Sequence, residues 1–423
     1  MRTRLLAPVL AVAVLAAAPC ADLLVPEPAD AAPVKTARCR RAASKLEALE
    51  RRIERARRAR PARARRLARL GRSIADRCVA LNQVQVLGTH NSYHIQPGPQ
   101  LFPILVAFSP LFLDVEYTHV PLEEQLETQG IRQIELDVFA DPHGGLYARR
   151  GALTVIGRDP DTNIPELLAP GFKVLHTQDV DFETTCLTFV DCLRTVKAWS
   201  DANRGHLPIM IMVELKDDPI PDPGLDFAIP IPILGPELDA LDAEIRSVFP
   251  PERLITPDDV RGKAATLDEA VRTRGWPSLR ESRGRVLFAL DNGGAKSALY
   301  REGRPSLEGR VLFTNADPGA PDAAFVKRND PIGDTDIPDL VATGYIVRTR
   351  ADGDTREARS GDTAPREAAL ASGAQYVSTD YPVPNPDFGT GYQVAIPDGA
   401  PGRCNPVNAP RGCRSWALET PTD

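Results

Sequence analysis

Four short stretches set polar or charged residues directly after apolar runs. They are Val86-Leu87-Gly88-Thr89-His90-Asn91, Ile134-Glu135-Leu136-Asp137, Val174-Leu175-His176 and Ile211-Met212-Val213-Glu214. Each reads as a buried strand whose end carries chemistry. If those ends share one rim, two imidazoles, one amide and three carboxylates meet there. Such a set holds a hard cation and runs acid/base chemistry on a phosphate.

Glu135 and Asp137 stand two apart on a strand, so their side chains point to one face. An inward carboxylate pair is costly without a cation. Asn91, Glu135, Asp137 and Glu214 offer oxygen donors from three strand ends, the donor type that calcium prefers. The competing possibility is that the pair is neutralised by arginines such as Arg132 or Arg348. Histidine exchanges protons near neutral pH, so His90 and His176 are the candidate catalytic pair. His143 competes with His176, although Pro142 and Gly144-Gly145 mark a turn around it. His94 and His119 are further candidates for the site lining, and His206 precedes a strand, at the wrong end. Lys216 shares the face of Glu214, and Arg348 and Arg350 share a face with each other. These cations suit phosphate binding, unless carboxylates occupy them, for instance Asp380 against Arg350. No Walker loop and no Gly-x-Ser-x-Gly elbow occurs in the sequence, so nucleotide binding of that type and serine acyl hydrolysis lack their anchors.

These residues need a scaffold that brings strand ends together. Eight strands are expected, at 83–88, 131–138, 172–176, 208–214, 285–290, 310–313, 345–349 and 375–378. Amphipathic helical segments at 189–203, 235–248 and 366–372 fall between them. Repeated strand-then-helix order argues for an α/β fold with a parallel sheet. Eight units suggest an irregular (β/α)8 TIM-like barrel with its site at the C-terminal strand ends; an open doubly wound sheet is the alternative. Two apolar insertions, at 99–113 and 220–236, follow strands that carry chemistry. They would either present Phe102, Phe108, Phe112 and Phe227 to lipid or pack over the barrel top.

The chain has 423 residues, 43% hydrophobic and 26% charged, with a net charge of −6. Between Lys35 and Arg77 stand 17 Lys/Arg against 4 Asp/Glu. Leucine and isoleucine repeat there at three and four residues, and Pro61 interrupts them, which predicts a basic helical hairpin over 35–78. Its arginines would attract anionic lipid or envelope polymers, or simply form a solvated face. Residues 1–31 read as an export signal: Arg2 and Arg4, the apolar run from Leu5 to Ala18, then Ala29-Asp30-Ala31. Cys20 admits a lipid anchor, but Pro19 fits a lipidation box poorly. The other six cysteines fall into local pairs, Cys39 with Cys78, Cys186 with Cys192 and Cys404 with Cys413, as expected in an oxidising compartment. The expected division is signal 1–31, hairpin 35–78, barrel 81–381 and a Pro/Gly-rich tail 382–423. The mature chain is expected to be a secreted monomer without a transmembrane segment or a nucleic-acid partner.

Thr89-His90-Asn91-Ser92-Tyr93, Gly130 to Asp137, Leu175-His176 and Met212-Val213-Glu214 together resemble the calcium-dependent phosphatidylinositol-specific phospholipases C, most of all secreted bacterial members. The resemblance spans about residues 83–381. It implies an irregular (β/α)8 barrel, a Ca2+ cofactor held by Asn91, Glu135, Asp137 and Glu214, and His90 and His176 as the catalytic pair. It implies a phospholipid substrate at a membrane surface. The inositol 2-hydroxyl would attack phosphorus, giving diacylglycerol and a cyclic inositol phosphate. The Arg-rich hairpin and the long gap between Asp137 and His176 depart from the pattern. A glycerophosphodiester phosphodiesterase is the nearest alternative, and a non-enzymatic envelope-binding protein is an alternative from another class.

Overall fold

The structure is a computed structural model that describes residues 33–419. The export-signal reading of 1–31 lies outside them. The strands in chain order are β1 Val84–Thr89, β2 Gln133–Phe139, β3 Lys173–Val174, β4 Ile209–Leu215, β5 Val286–Leu290, β6 Leu312–Phe313, β7 Phe325–Lys327, β8 Ile346–Arg350, β9 Tyr376–Thr379 and β10 Gly402–Cys404. Neighbouring strands follow the order β6-β5-β4-β2-β1-β9-β8-β7. The pairs along this path are parallel. The first strand therefore lies between β2 and β9, which an open doubly wound sheet would not allow. One seam, between β6 and β7, is joined by a single parallel bridge from Asn315 to Phe325. The fold is an irregular TIM-like barrel with one incompletely sealed seam.

The strands are runs of Val, Ile, Leu, Met and Phe because both their faces are covered. β2 is buried along its whole length. Helices Phe189–Ala202 and Gly235–Val248 cover the outside and sit where the amphipathic pattern predicts them. Thr188 caps the first by accepting from the Asp191 N–H, the role a short hydroxyl performs best. Gly88 has a specific reason to lack a side chain: an added Cβ would lie 1.9 Å from the Gln133 carboxamide oxygen.

One expected barrel strand is corrected. The run 172–176 contributes only β3, which pairs antiparallel with β2 beyond the barrel wall. The eighth barrel strand is instead β7, three residues long, in the run Ala323-Ala324-Phe325-Val326-Lys327. The tail after 382 also does more than wrap the surface. β10 pairs antiparallel with the N-terminal half of β1, where the pairing to β2 has already diverged.

Helices Pro33–Arg57 and Pro61–Ala75 form the hairpin, and Pro61 opens the second helix, where its missing N–H costs nothing. Leu46, Leu49 and Leu67 are buried, and Leu46 joins the main core. Among the described residues, the disulfides are Cys39–Cys78, Cys186–Cys192 and Cys404–Cys413. The hairpin joins the barrel at its N-terminal end. Asp76 pairs with Arg283 at 2.7 Å, the Val79 carbonyl accepts from the Leu279 N–H at 2.8 Å, and the Trp416 ring lies against Gly71. Leu279 and Arg283 precede β5, so the hairpin sits at the opposite end from the C-terminal rim.

Candidate active site

Parallel register puts the acidic residues side by side. Asp137 on β2 stands opposite Glu214 on β4, and the N–H of Asp291, just past β5, donates to the Val213 carbonyl. One carboxylate oxygen each from Glu135, Glu214 and Asp291 lies within 4.8 Å of the others. Asn91 follows β1 by two residues. Its φ of +42° is in the left-handed region, a strain that persists only where neighbours impose it. On one side the His90 N–H donates to the Thr379 carbonyl at 3.1 Å. On the other, Ser92 N–H donates to the Glu135 carbonyl at 3.0 Å, and Ser92 Oγ accepts from the Glu135 N–H at 2.8 Å. Ser92 thus clamps Asn91 against β2.

These donors fit a cation. Asn91 Oδ1 and both oxygens of Asp137 are buried and accept no hydrogen bond, a costly arrangement for a polar group. Lys216 Nζ lies 3.4 Å from Asp137 and 3.5 Å from Glu214. Burial and the neighbouring Glu214 raise Asp137 well above the usual carboxylate range. Burial likewise pushes Glu135 up to about 8. Both shifts describe negative charge crowded into a dry place. An oxygen-only donor set of this kind suits calcium.

The two candidate histidines have parallel settings. His90 Nδ1 lies 2.8 Å from Asp380 Oδ1, and its Nε2 faces the acidic cluster, 3.9 Å from Glu135. Burial, followed by Arg350, lowers His90 to about 3. Burial alone would raise Asp380, but His90 and Arg350 outweigh it and hold it at about 2. The Nδ1 contact to the Asp380 carboxylate favours the tautomer with the proton on Nδ1 and a lone pair on Nε2. His176 Nδ1 lies 2.7 Å from Asp181. Asp181 also binds His94 Nε2 at 3.0 Å. The rings of His90, Tyr117, His94 and His176 adjoin in sequence, with centroid separations of 6.4, 4.6 and 5.8 Å. His119 donates from Nε2 to the His90 carbonyl at 2.9 Å. His143 is exposed on a turn, and His206 is buried before β4.

The barrel cations reach the site already paired. Arg348, almost wholly buried, binds Glu135 at 2.9 Å and Asn329 at 2.6 Å. Arg350 binds Asp380 at 3.0 Å and the Asp352 carbonyl at 2.9 Å. Lys327, on the strand that the sequence pattern did not reveal, binds Asp291 at 2.6 Å. Arg132 is remote, pairing with Glu419 of the tail. Asp181, Asp291 and Lys327 were assigned no role from the sequence, and Asp380 was expected only as a partner for Arg350, which it is, at 3.0 Å. Asp291 and Asp380 end strands, which is a usable signal, whereas Asp181 lies in an irregular loop five residues beyond His176.

A profile described as phosphoinositide phospholipase C, Ca2+-dependent, matches residues 79–406. The chain belongs to this family. It is therefore an enzyme of the calcium-dependent phospholipase C type, with Ca2+ as its cofactor. A calcium-dependent phosphoinositol-specific phospholipase C from a Pseudomonas species is a similar solved structure, at 15% identity and a TM-score of 0.47. The match covers 78% of this chain and 96% of that one. The phosphatidylinositol-specific phospholipase C from Streptomyces antibioticus matches at 19% identity, TM-score 0.45, over 74% and 97%. No curated protein sequence is significantly similar. The family match begins directly after the basic hairpin and stops within the tail.

For a phospholipase C of this family, the shared Asp181 is a test of how the site is held. Burial would raise it, but His94 and His176 hold it below the usual carboxylate range. Its stabilising contribution is thus fully present above the ordinary Asp value of about 4 and lost as pH falls below it. Asp181→Asn is expected to cost about 3 kcal/mol near neutrality, because it leaves buried His94 without its charge partner. Denaturant midpoints should converge with those of the parent below about pH 4. Equal midpoints at neutral pH would show that the pair carries no net stability.

Proposed function

We propose that the chain cleaves phosphatidylinositol-type lipids outside the cell to diacylglycerol and a cyclic inositol phosphate. The observation that carries this reading is a set of buried oxygens without hydrogen bonds, on Asn91 and Asp137, beside two carboxylate-backed imidazoles. Asn91, Glu135, Asp137 and Glu214 are the proposed calcium ligands, with Asp291 a fifth oxygen donor within reach. Bound calcium supplies Lewis-acid polarisation of the oxygens it holds. Neutral His90, oriented by Asp380, takes the proton of the attacking inositol hydroxyl at Nε2. His176, oriented by Asp181, delivers a proton to the departing glycerol oxygen. Lys216, Arg348 and Arg350 are the proposed phosphate-facing cations, each poised on a carboxylate that the cation or the substrate can relieve.

An apolar rim supports the lipid assignment. Phe108, Leu111 and Ile229 are each about three-quarters exposed. Phe102 does not share this role, since it is buried. Phe112 and Phe227 pack against Leu101, Leu105, Leu153 and Phe182 in a small second core, so those parts of the insertions cover the barrel top. Among the described residues no helix is long and apolar enough to cross a membrane. The export signal, the division into hairpin 35–78, barrel 81–381 and tail 382–423, and the monomeric state complete the proposal. The three disulfides support an oxidising destination.

Product analysis on phosphatidylinositol and on glycerophosphoinositol tests the reading. Cyclic inositol phosphate from the diacyl lipid supports it. Turnover confined to glycerophosphoinositol would favour a glycerophosphodiesterase. Phe108→Ser with Leu111→Ser is expected to reduce vesicle turnover by about tenfold, from the apolar area lost at the interface, and to spare a soluble inositol phosphodiester. Phe227→Ser is expected to impair both substrates, because it opens a packed core. Equal losses on both substrates for the Phe108 variant would remove the membrane role of that loop.

A further inference from the structure

The basic hairpin lies outside the family match and takes no part in the site. Its segment from Lys35 to Arg77 carries a net charge of +13 in a chain of net −6, so the other residues carry −19. Fifteen of its 17 cations are arginine. Structural hairpins need no such excess. The helix contacts here are made by Ala42, Leu46, Leu49, Ala56, Ala64 and Leu67, and the Cys39–Cys78 disulfide closes the base.

The arginines toward the tip are free for a partner. Arg52, Arg57, Arg58, Arg60, Arg63 and Arg66 are exposed. None of them joins an ion pair among the described residues; in that region only Arg51 does, with Glu47 at 3.2 Å. Several fall at a spacing of three, Arg52 and Arg55 on the first helix with Arg58 just past its end, and Arg63, Arg66 and Arg69 on the second helix. A helix rises about 1.5 Å per residue, so charges along each row recur every ~4.5 Å. Rows of this kind match a linear polyanion and greatly exceed what one small anion needs. Guanidinium is the cation whose fork binds phosphate oxygens in pairs.

Two observations argue against a bilayer as the occupant. The hairpin stands at the N-terminal end of the barrel, one strand length, roughly 20 Å, from the rim with Phe108 and Leu111. It therefore faces away from the membrane that presents the substrate. Its apolar residues are also turned inward; of its described large apolar side chains, only Leu70 is exposed, whereas a helix lying in an interface needs an apolar face.

We propose that the arginine rows of the hairpin dock a flexible, linear phosphodiester polymer. The enzyme would be held to an anionic extracellular matrix by one end while the other end faces lipid. This interaction is independent of the reaction at the rim.

The test uses the full mature chain and a poly(glycerol phosphate) oligomer, with binding followed by calorimetry at low and moderate salt. Binding is expected, with affinity falling at least about tenfold over that salt range as counterions compete. Changing Arg52, Arg57, Arg58, Arg60, Arg63 and Arg66 together to Gln should abolish the salt-dependent part. The Arg→Lys set should retain most of it, and both variants should keep parental activity on a soluble inositol phosphodiester. Polyglutamate, duplex DNA and anionic vesicles without inositol lipid are the comparison ligands, each expected to bind more weakly. Unchanged binding by the Gln variant would overturn the proposal. Tighter binding to DNA, to polyglutamate or to vesicles would overturn it in favour of that partner.

Discussion

His90→Ala is expected to lower turnover by about 10²–10⁴-fold, the range for losing a positioned acid/base group. The fold should persist, because the ring is partly exposed and its removal breaks one hydrogen bond, to Asp380. Two features make His90 the stronger of the two histidines for this test. Its Nδ1 is held by an ionised carboxylate, which sets the tautomer, and its Nε2 faces the acidic cluster. His176→Ala is expected to fall in the same range, since its Nδ1 is held by Asp181 in the same way. Asp380→Asn, which perturbs the tautomer and leaves the ring in place, should retain more activity than His90→Ala. The assignment would be wrong if His143→Ala were crippling and His176→Ala mild; the exposed turn position of His143 argues against that result.

Chelation is expected to abolish turnover, and Asp137→Asn to weaken calcium binding by two orders of magnitude or more, roughly the loss of one charged ligand from a buried site. Asp137 is chosen because both its oxygens are buried and without hydrogen bonds. Glu135 already has Arg348 at 2.9 Å, so its replacement confounds metal loss with an orphaned arginine. In the metal-free protein Asp137→Asn should be neutral or stabilising. It removes a crowded negative charge whose carboxyl is already driven toward its neutral form by burial and by Glu214. A calorimetric titration separates the two effects. Full activity in excess chelator, or an unchanged calcium affinity in the variant, would refute the ligand assignment.

Most strands were legible because a parallel barrel buries both faces of its wall and so writes continuous apolar runs. Two places resisted. The run 172–176 is apolar enough to read as a strand, yet only Lys173–Val174 pair, and they do so antiparallel to β2. The real strand Phe325–Lys327 is three residues long, below the length at which periodicity says anything. Missing it also hid Lys327, the partner of Asp291. For Phe112 and Phe227 the sequence left lipid contact and packing both open for a related reason, since an apolar residue in an insertion looks the same whether lipid or a small second core awaits it.

By itself the sequence determined the fold class and which carboxylates share a face. Strand-end positions and a two-residue spacing force Glu135 and Asp137 to one face, and the short spacings of Cys186 with Cys192 and Cys404 with Cys413 favour those partners. Tertiary structure alone decided the partnerships. Asp380 reaches His90 across 290 residues and Arg348 reaches Glu135 across 213. Barrel closure brings β9 back beside β1, with β8 next to β9. It also decided that the basic hairpin faces away from the rim. The contacts of Asp76 and Val79 with the segment before β5 fix its end of the barrel. Charge composition is a property of the chain, but direction exists only once the chain is folded.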